Sequence, residues 1–130
     1  MTVKKLAQLG KLTDAAFLAE QAKLARLTRQ EADLRAQIAQ LAAARNGTAD
    51  RLREGSDPAL KAGADVRWHQ WIAVRQTRLN EELLQILTRK ARQIDAVRRA
   101  HGRAQALDQL TDQARDAARR KRDAQEQSRT

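Results

Sequence analysis

The chain has no cysteine and no tyrosine, a single proline, a single phenylalanine and only two tryptophans in 130 residues. Without cysteine there is no disulfide, no thiolate metal site and no thiol nucleophile. So few aromatic side chains cannot fill a broad globular core, which draws on aromatic and β-branched residues. No apolar run approaches the roughly 20 residues of a membrane-spanning helix. The opening MTVKKLAQLGK has paired lysines but lacks the apolar centre of a signal peptide. A soluble, cytoplasmic protein is therefore expected.

Catalytic patterns are missing too. His69 and His101 are far apart in sequence, no pair of side chains has metal-ligand spacing, and there is no glycine-rich phosphate loop ending in Lys-Ser or Lys-Thr. No catalytic residue, cofactor, metal or small-molecule substrate is expected, and the chain is not read as an enzyme. Asn46-Gly47-Thr48 has the form of a glycosylation acceptor but reads better as a helix end.

What the chain does have is alanine, leucine, arginine, glutamine, glutamate and lysine, with 32% of its residues charged. That composition suits long helices joined along a narrow seam. The net charge is +10, with an excess of four over residues 1–45, three over 66–97 and four over 98–130, and a deficit of one over 46–65. A chain basic along both of its arms favours an acidic protein, an anionic surface or nucleic acid.

The apolar spacing predicts an all-α fold. Phe17, Leu24, Glu31 and Ile38 stand seven apart, and Leu27, Leu34 and Leu41 form the companion series. This is a heptad seam with one polar position, Glu31, which costs stability but helps to set register. Upstream, Leu6, Leu9 and Leu12 follow a shifted phase, which implies a stutter near Gly10 or Thr13. Three glycines and the proline cluster in RNGTADRLREGSDPALKAG. There Asp57-Pro58 reads as an N-cap and first position of a short turn that Gly63 closes, and Asp65 as the N-cap of a second helix. Ile72, Leu79 and Ile86 form one series of that helix and Leu83, Lys90 and Val97 its companion. Ala100, Ala104, Leu107, Ala114 and Ala118 continue the stripe.

Length and pattern thus give a single domain, 1–130, with helix 1 at about 3–53, a hinge at about 54–65 and helix 2 at about 66–126. Helices this long with one apolar stripe need a partner. Folding back about the hinge sets Leu41 near Leu79, Leu34 near Leu83 and Ile86, and Phe17 opposite Gly102 and Ala104. An antiparallel coiled-coil hairpin is expected, and a parallel dimer through the same seams is the alternative. Phe17 and Trp68 are its expected structural residues.

At about 100° per residue, Trp68 lies about 40° from Ile72 and faces the seam, while Trp71 lies about 100° away and Val74 about 160°. Two readings follow for Trp71. Both tryptophans pack over the turn and Leu52, or Trp71, Val74 and Arg78 form an exposed patch for a partner.

The order Arg67-Trp68, Trp71, an apolar pair, then Gln76-Thr77 and a long Arg/Gln-rich helix resembles the flagellar FliJ family. The resemblance runs the length of the chain: two long helices, the second longer, a break just before Arg67-Trp68 and a basic C-terminal end. Val74 stands where the family has a bulkier residue, and Arg78 and Glu81 follow. The resemblance implies an antiparallel coiled coil like the central stalk of rotary ATPases, at the inner membrane of the flagellar base. It implies three partners: the hexameric export ATPase, the cytoplasmic domain of the export gate membrane protein, and export chaperones. Under it, Trp71, Val74 and Arg78 would serve the gate or a chaperone. Lys4, Lys5, Arg115, Arg119, Arg120 and Arg122 would form the end that contacts the ATPase. Virulence-type secretion stalks share the architecture. A nucleic-acid-binding helix pair is a different reading, favoured by the charge but opposed by the interspersed Asp108, Asp112, Asp116 and Asp123. A generic scaffold coiled coil is the last.

Overall fold

A computed structural model describes residues 2–54 and 58–129, with the side chains of 48–54 and 59–61 left aside. It is all-α: α1 runs Val3–Glu54 and α2 Pro58–Arg129, and the two helices pack against each other as an antiparallel coiled-coil hairpin. The direction is plain from contacts between the helices. Phe17 meets His101, Glu31 meets Lys90 and Gln37 meets Arg75, so partner numbers fall along α2 as they rise along α1. The pairing lies within one chain, as the hairpin reading expects.

Thr2 caps α1. Its hydroxyl accepts the Lys5 amide at 3.2 Å and its carbonyl accepts the Leu6 amide at 3.1 Å, satisfying two donors of the first turn. Pro58 opens α2 as expected of a residue with fixed φ and no amide hydrogen. The expected hinge is shorter, however. Residues 58–65 are helical, so Gly63 closes no turn and Asp65 is not a cap. Asp65 instead meets His69 one turn farther along the helix surface, with Oδ1 3.0 Å from Nε2. A single continuous helix satisfies these backbone groups without a second start. The expected Asp57 cap and hinge residues 55–57 lie outside the described residues, as does any packing of Leu52. Asn46-Gly47 does not end α1, and no residue of the described chain has positive φ.

The chain divides into two compact units, Arg26–Ala91 (the central unit) and Met1–Ala25 with Arg92–Thr130 (the terminal unit). The central unit holds the larger side chains. Leu34, Leu41, Ile72, Leu79 and Ile86 are buried together, with Leu27, Ile38, Trp68 and Leu83 packed against them. Ile72 and Leu79 are buried to 1% exposure, each contributing about 1.5–3 kcal/mol by leaving water. Within this seam Lys90 Nζ lies 3.4 Å from Glu31 Oε2, pairing the two polar heptad positions across the interface, and Arg35 approaches the same carboxylate at 3.9 Å.

The terminal unit is built differently. Its buried residues are Leu6, Gly10, Ala100, Ala104 and Thr111, with Thr13, Phe17, Leu107 and Ala114 half-buried. The seam of α1 therefore keeps strict heptad spacing through Leu6, Gly10, Thr13 and Phe17, and no stutter occurs. Leu9 and Leu12, read as seam residues from their hydrophobicity, are exposed. The inward threonines satisfy their hydroxyls locally: Thr13 donates to the Gly10 carbonyl at 2.9 Å and Thr111 to the Leu107 carbonyl at 2.7 Å. Phe17 packs its ring on His101, centroids 5.0 Å apart, and not over Gly102. Gly102 is exposed, and a Cβ there would meet nothing within 4 Å. Gln93 donates to both the backbone carbonyl and the carboxylate of Glu20, closing the unit opposite Lys23.

Candidate functional site

Helical phase on α2 separates Trp68 from Trp71, and the side chains then meet again. Their rings stack with centroids 5.3 Å apart and planes 19° from parallel. Trp68 is half-buried against the core of the central unit, while Trp71 is 53% exposed. The pair forms a layered surface whose inner ring belongs to the core and whose outer ring meets solvent. Trp68 Nε1 is buried and has no hydrogen-bond partner among the described residues.

Beside the stack is an open recess of about 270 Å³, walled on α1 by Gln37, Gln40 and Ala44 and on α2 by Trp68, Trp71 and Arg75. Arg75 donates to Gln37 Oε1 at 3.5 Å across it. A second recess of about 310 Å³ shares Gln37 and continues past Gln30 and Asp33 toward Glu82, Gln85 and Arg89. Both are open and carry amides along their walls; the first has Arg75 as its one charged residue, and the second has Asp33, Glu82 and Arg89. Such surfaces hold the side chains of a protein partner better than they enclose a small molecule.

Of the residues expected at a gate or chaperone contact, Trp71, Val74 and Arg78 are all exposed on one side of α2. Only Trp71 lines the first recess, and Arg78 lines neither. Sequence reasoning missed Gln37, Gln40 and Arg75. Their heptad spacing beside Leu34, Leu41 and Ile72 was the available signal. The basic residues expected at the other end, Lys4, Lys5, Arg115, Arg119, Arg120 and Arg122, are exposed and belong to the terminal unit. Arg119 is paired with Asp116 one turn earlier, so that cation is partly engaged already. Residues 119–129 are exposed throughout.

Among the described residues one titratable group is displaced. The hydrogen bond from Gln93, helped by the bond from Lys23, holds the Glu20 carboxyl below its ordinary value. No group of three or more His, Asp or Glu able to hold a metal occurs among the described residues, and no described helix is long and apolar enough to cross a membrane. Comparison with family models, curated proteins and solved structures finds no match to this chain.

Proposed function

We propose that the chain is a stalk and chaperone-escort component of the flagellar type III protein export apparatus. In this role it links the hexameric export ATPase to the cytoplasmic domain of the export gate and is held peripherally at the inner membrane. The observation that carries the reading is Trp71: an exposed ring three residues after Arg67-Trp68 on the longer helix of an antiparallel coiled coil. The sequence around it is the part that resembles the FliJ family. The proposed role asks for no catalysis. A basic coiled coil can meet acidic loops of a ring in several orientations, because its charge acts over distance and needs no tight pocket.

In this scheme the Trp71 flank with Val74 and Arg78 meets the gate domain or an empty chaperone. Lys4, Lys5, Arg115, Arg119, Arg120 and Arg122 meet the ATPase. The test is a pair of binding measurements on Trp71→Ala. Affinity for the purified gate domain or chaperone should fall about tenfold, as for loss of an exposed aromatic contact, with affinity for the hexameric ATPase unchanged. Equal retention of all three affinities would remove Trp71 from the interface.

The high pI of about 11.2 favours nucleic acid as the competing partner. Against it, several cations are already matched by carboxylates, as in Arg119–Asp116, Arg98–Asp95 and Lys90–Glu31. Duplex DNA belongs in the same binding series as a comparison.

A further inference from the structure

In the terminal unit Leu9, Leu12 and Leu110 lie outside while a glycine and two threonines lie in the seam beside Leu6 and Leu107. Gly10 and Thr13 occupy the seam of α1, while the adjacent Leu9 and Leu12 are 38% and 67% exposed. On α2, Leu110 is 49% exposed beside the buried Thr111. Each exposed leucine stands next to a smaller or more polar residue turned inward. Exchange of the two would bury more apolar surface, so packing alone does not account for the arrangement.

Heptad position shows where these leucines lie. With Gly10 and Phe17 at a and Leu6 and Thr13 at d, Leu9 falls at g and Leu12 at c. On α2, with Ala104 and Thr111 at a, Leu110 falls at g. In an antiparallel pair the g positions of the two helices border the same flank of the seam, because the partner helix runs the opposite way. The Phe17–His101 contact sets Leu9 level with Leu110. Three leucines thus form one exposed apolar flank, with Ala106 level with Leu12 and Ala16 one turn farther along α1 at the same class of position.

The charges on that flank are of one sign. Lys5, Arg99 and Arg103 occupy c and g positions of this unit, whereas no acidic residue does so over 3–25 and 92–129. The carboxylates fall elsewhere: Asp14 and Asp108 at e, Asp112 and Glu126 at b, Asp95, Asp116 and Asp123 at f, and Glu20 at d, where Gln93 and Lys23 already engage it.

We propose that this flank docks an amphipathic helix of a partner protein, leucine- or alanine-rich on its buried face and acidic along its edges. A helix laid beside the two would cover Leu9, Leu12 and Leu110 as its apolar anchors and meet Lys5, Arg99 and Arg103 with its carboxylates. The charge argues against a second copy of this chain, which would set the same cations against these. The absence of any aromatic side chain on the flank argues against a lipid surface, where tryptophan and phenylalanine commonly provide the insertion. The inference does not depend on the export reading.

The experiment uses the full chain and a labelled synthetic helix of about 20 residues, with leucine at a and d and glutamate at the edges. A lysine-edged version, anionic phosphatidylglycerol vesicles and sedimentation of the chain alone complete the set. The acidic helix should bind and weaken as salt rises, and the lysine-edged one should not bind. Leu12→Glu and Leu110→Glu should each reduce binding about tenfold or more. Leu18→Glu is the control, because Leu18 is 63% exposed at a b position on the other flank, and it should leave binding unchanged. Helix content and melting of each variant show that it is folded. Arg103→Glu should weaken the acidic helix and admit the lysine-edged one. Failure of the acidic helix to bind, equal loss in Leu18→Glu, or capture by vesicles in its place would overturn the proposal. Self-association lost in the Leu12 and Leu110 variants would assign the flank to a second copy.

Discussion

Stacking makes Trp68 and Trp71 one object, so truncation of either alters the surroundings of the other. Trp68→Ala should cost about 2–3 kcal/mol, below the usual cost of removing a core tryptophan because the ring is only half-buried. Trp71→Ala should cost about 0.5–1.5 kcal/mol, the size of an aromatic pair contact. Denaturant unfolding distinguishes the two, and equal losses would mean that Trp71 is packing and not an interaction surface. Two glycines provide a complementary test. A Cβ at Gly10 or at Gly102 would meet nothing within 4 Å, and both residues are helical. Each change to alanine should therefore stabilise by about 0.5–1 kcal/mol, through helix propensity alone. A loss at Gly10 would show that the helices must approach more closely there than the structure has them.

At the scale of the helix, most of the architecture was legible because heptad spacing is a geometric signal that survives low hydrophobicity. The series through Phe17, Leu27, Leu34 and Leu41 and that through Ile72, Leu79 and Ile86 are the buried or half-buried residues of the hairpin. The error at Leu9 and Leu12 came from weighing hydrophobicity above spacing. Gly10 and Thr13 keep the period, and the leucines do not. The 58–65 helix was misread because glycine and proline signal a break, whereas proline at a first position and an open glycine both permit a helix. The Trp68–Trp71 stack could not be read, since period fixes a side chain's direction but not its rotamer. Glu31 and Lys90 were each visible as polar seam positions, and only the antiparallel register pairs them. Lys90→Ala should destabilise by about 1–2 kcal/mol by leaving Glu31 in the seam without its cation. Replacement of both by leucine should be neutral or stabilising by about 1–2 kcal/mol, and a double-mutant cycle in urea measures both. Glu20 adds a dependence on pH. Its folded-state pKa lies below the ordinary 4.5, so its contribution is present above that value and is lost as pH falls through the folded pKa. Glu20→Gln should flatten the stability profile in that acid range, and an unchanged slope would show that the Gln93 bond carries no weight in solution.

For the molecule as a whole, charge and exposed apolar residues are distributed over both units, and the proposed partners would meet those surfaces. Basic residues are exposed in both units, no acidic residue of the terminal unit occupies a c or g position beside Leu9 and Leu110, and Trp71 stands beside Gln37, Gln40 and Arg75 at an open recess. The overall fold class follows from composition and period, but partner identity does not, because many coiled coils share both. The export reading rests on the residues around Trp68 and Trp71 and makes one demand on the intact chain. The most direct measurement is binding of the purified chain to the hexameric export ATPase and to duplex DNA, both at about 150 mM salt, where nonspecific phosphate binding is strongly weakened. The account predicts association with the hexamer, lost when Arg115, Arg119 and Arg122 are changed together to glutamate in a chain that stays helical. A folded chain that ignores the hexamer and binds DNA instead would contradict it.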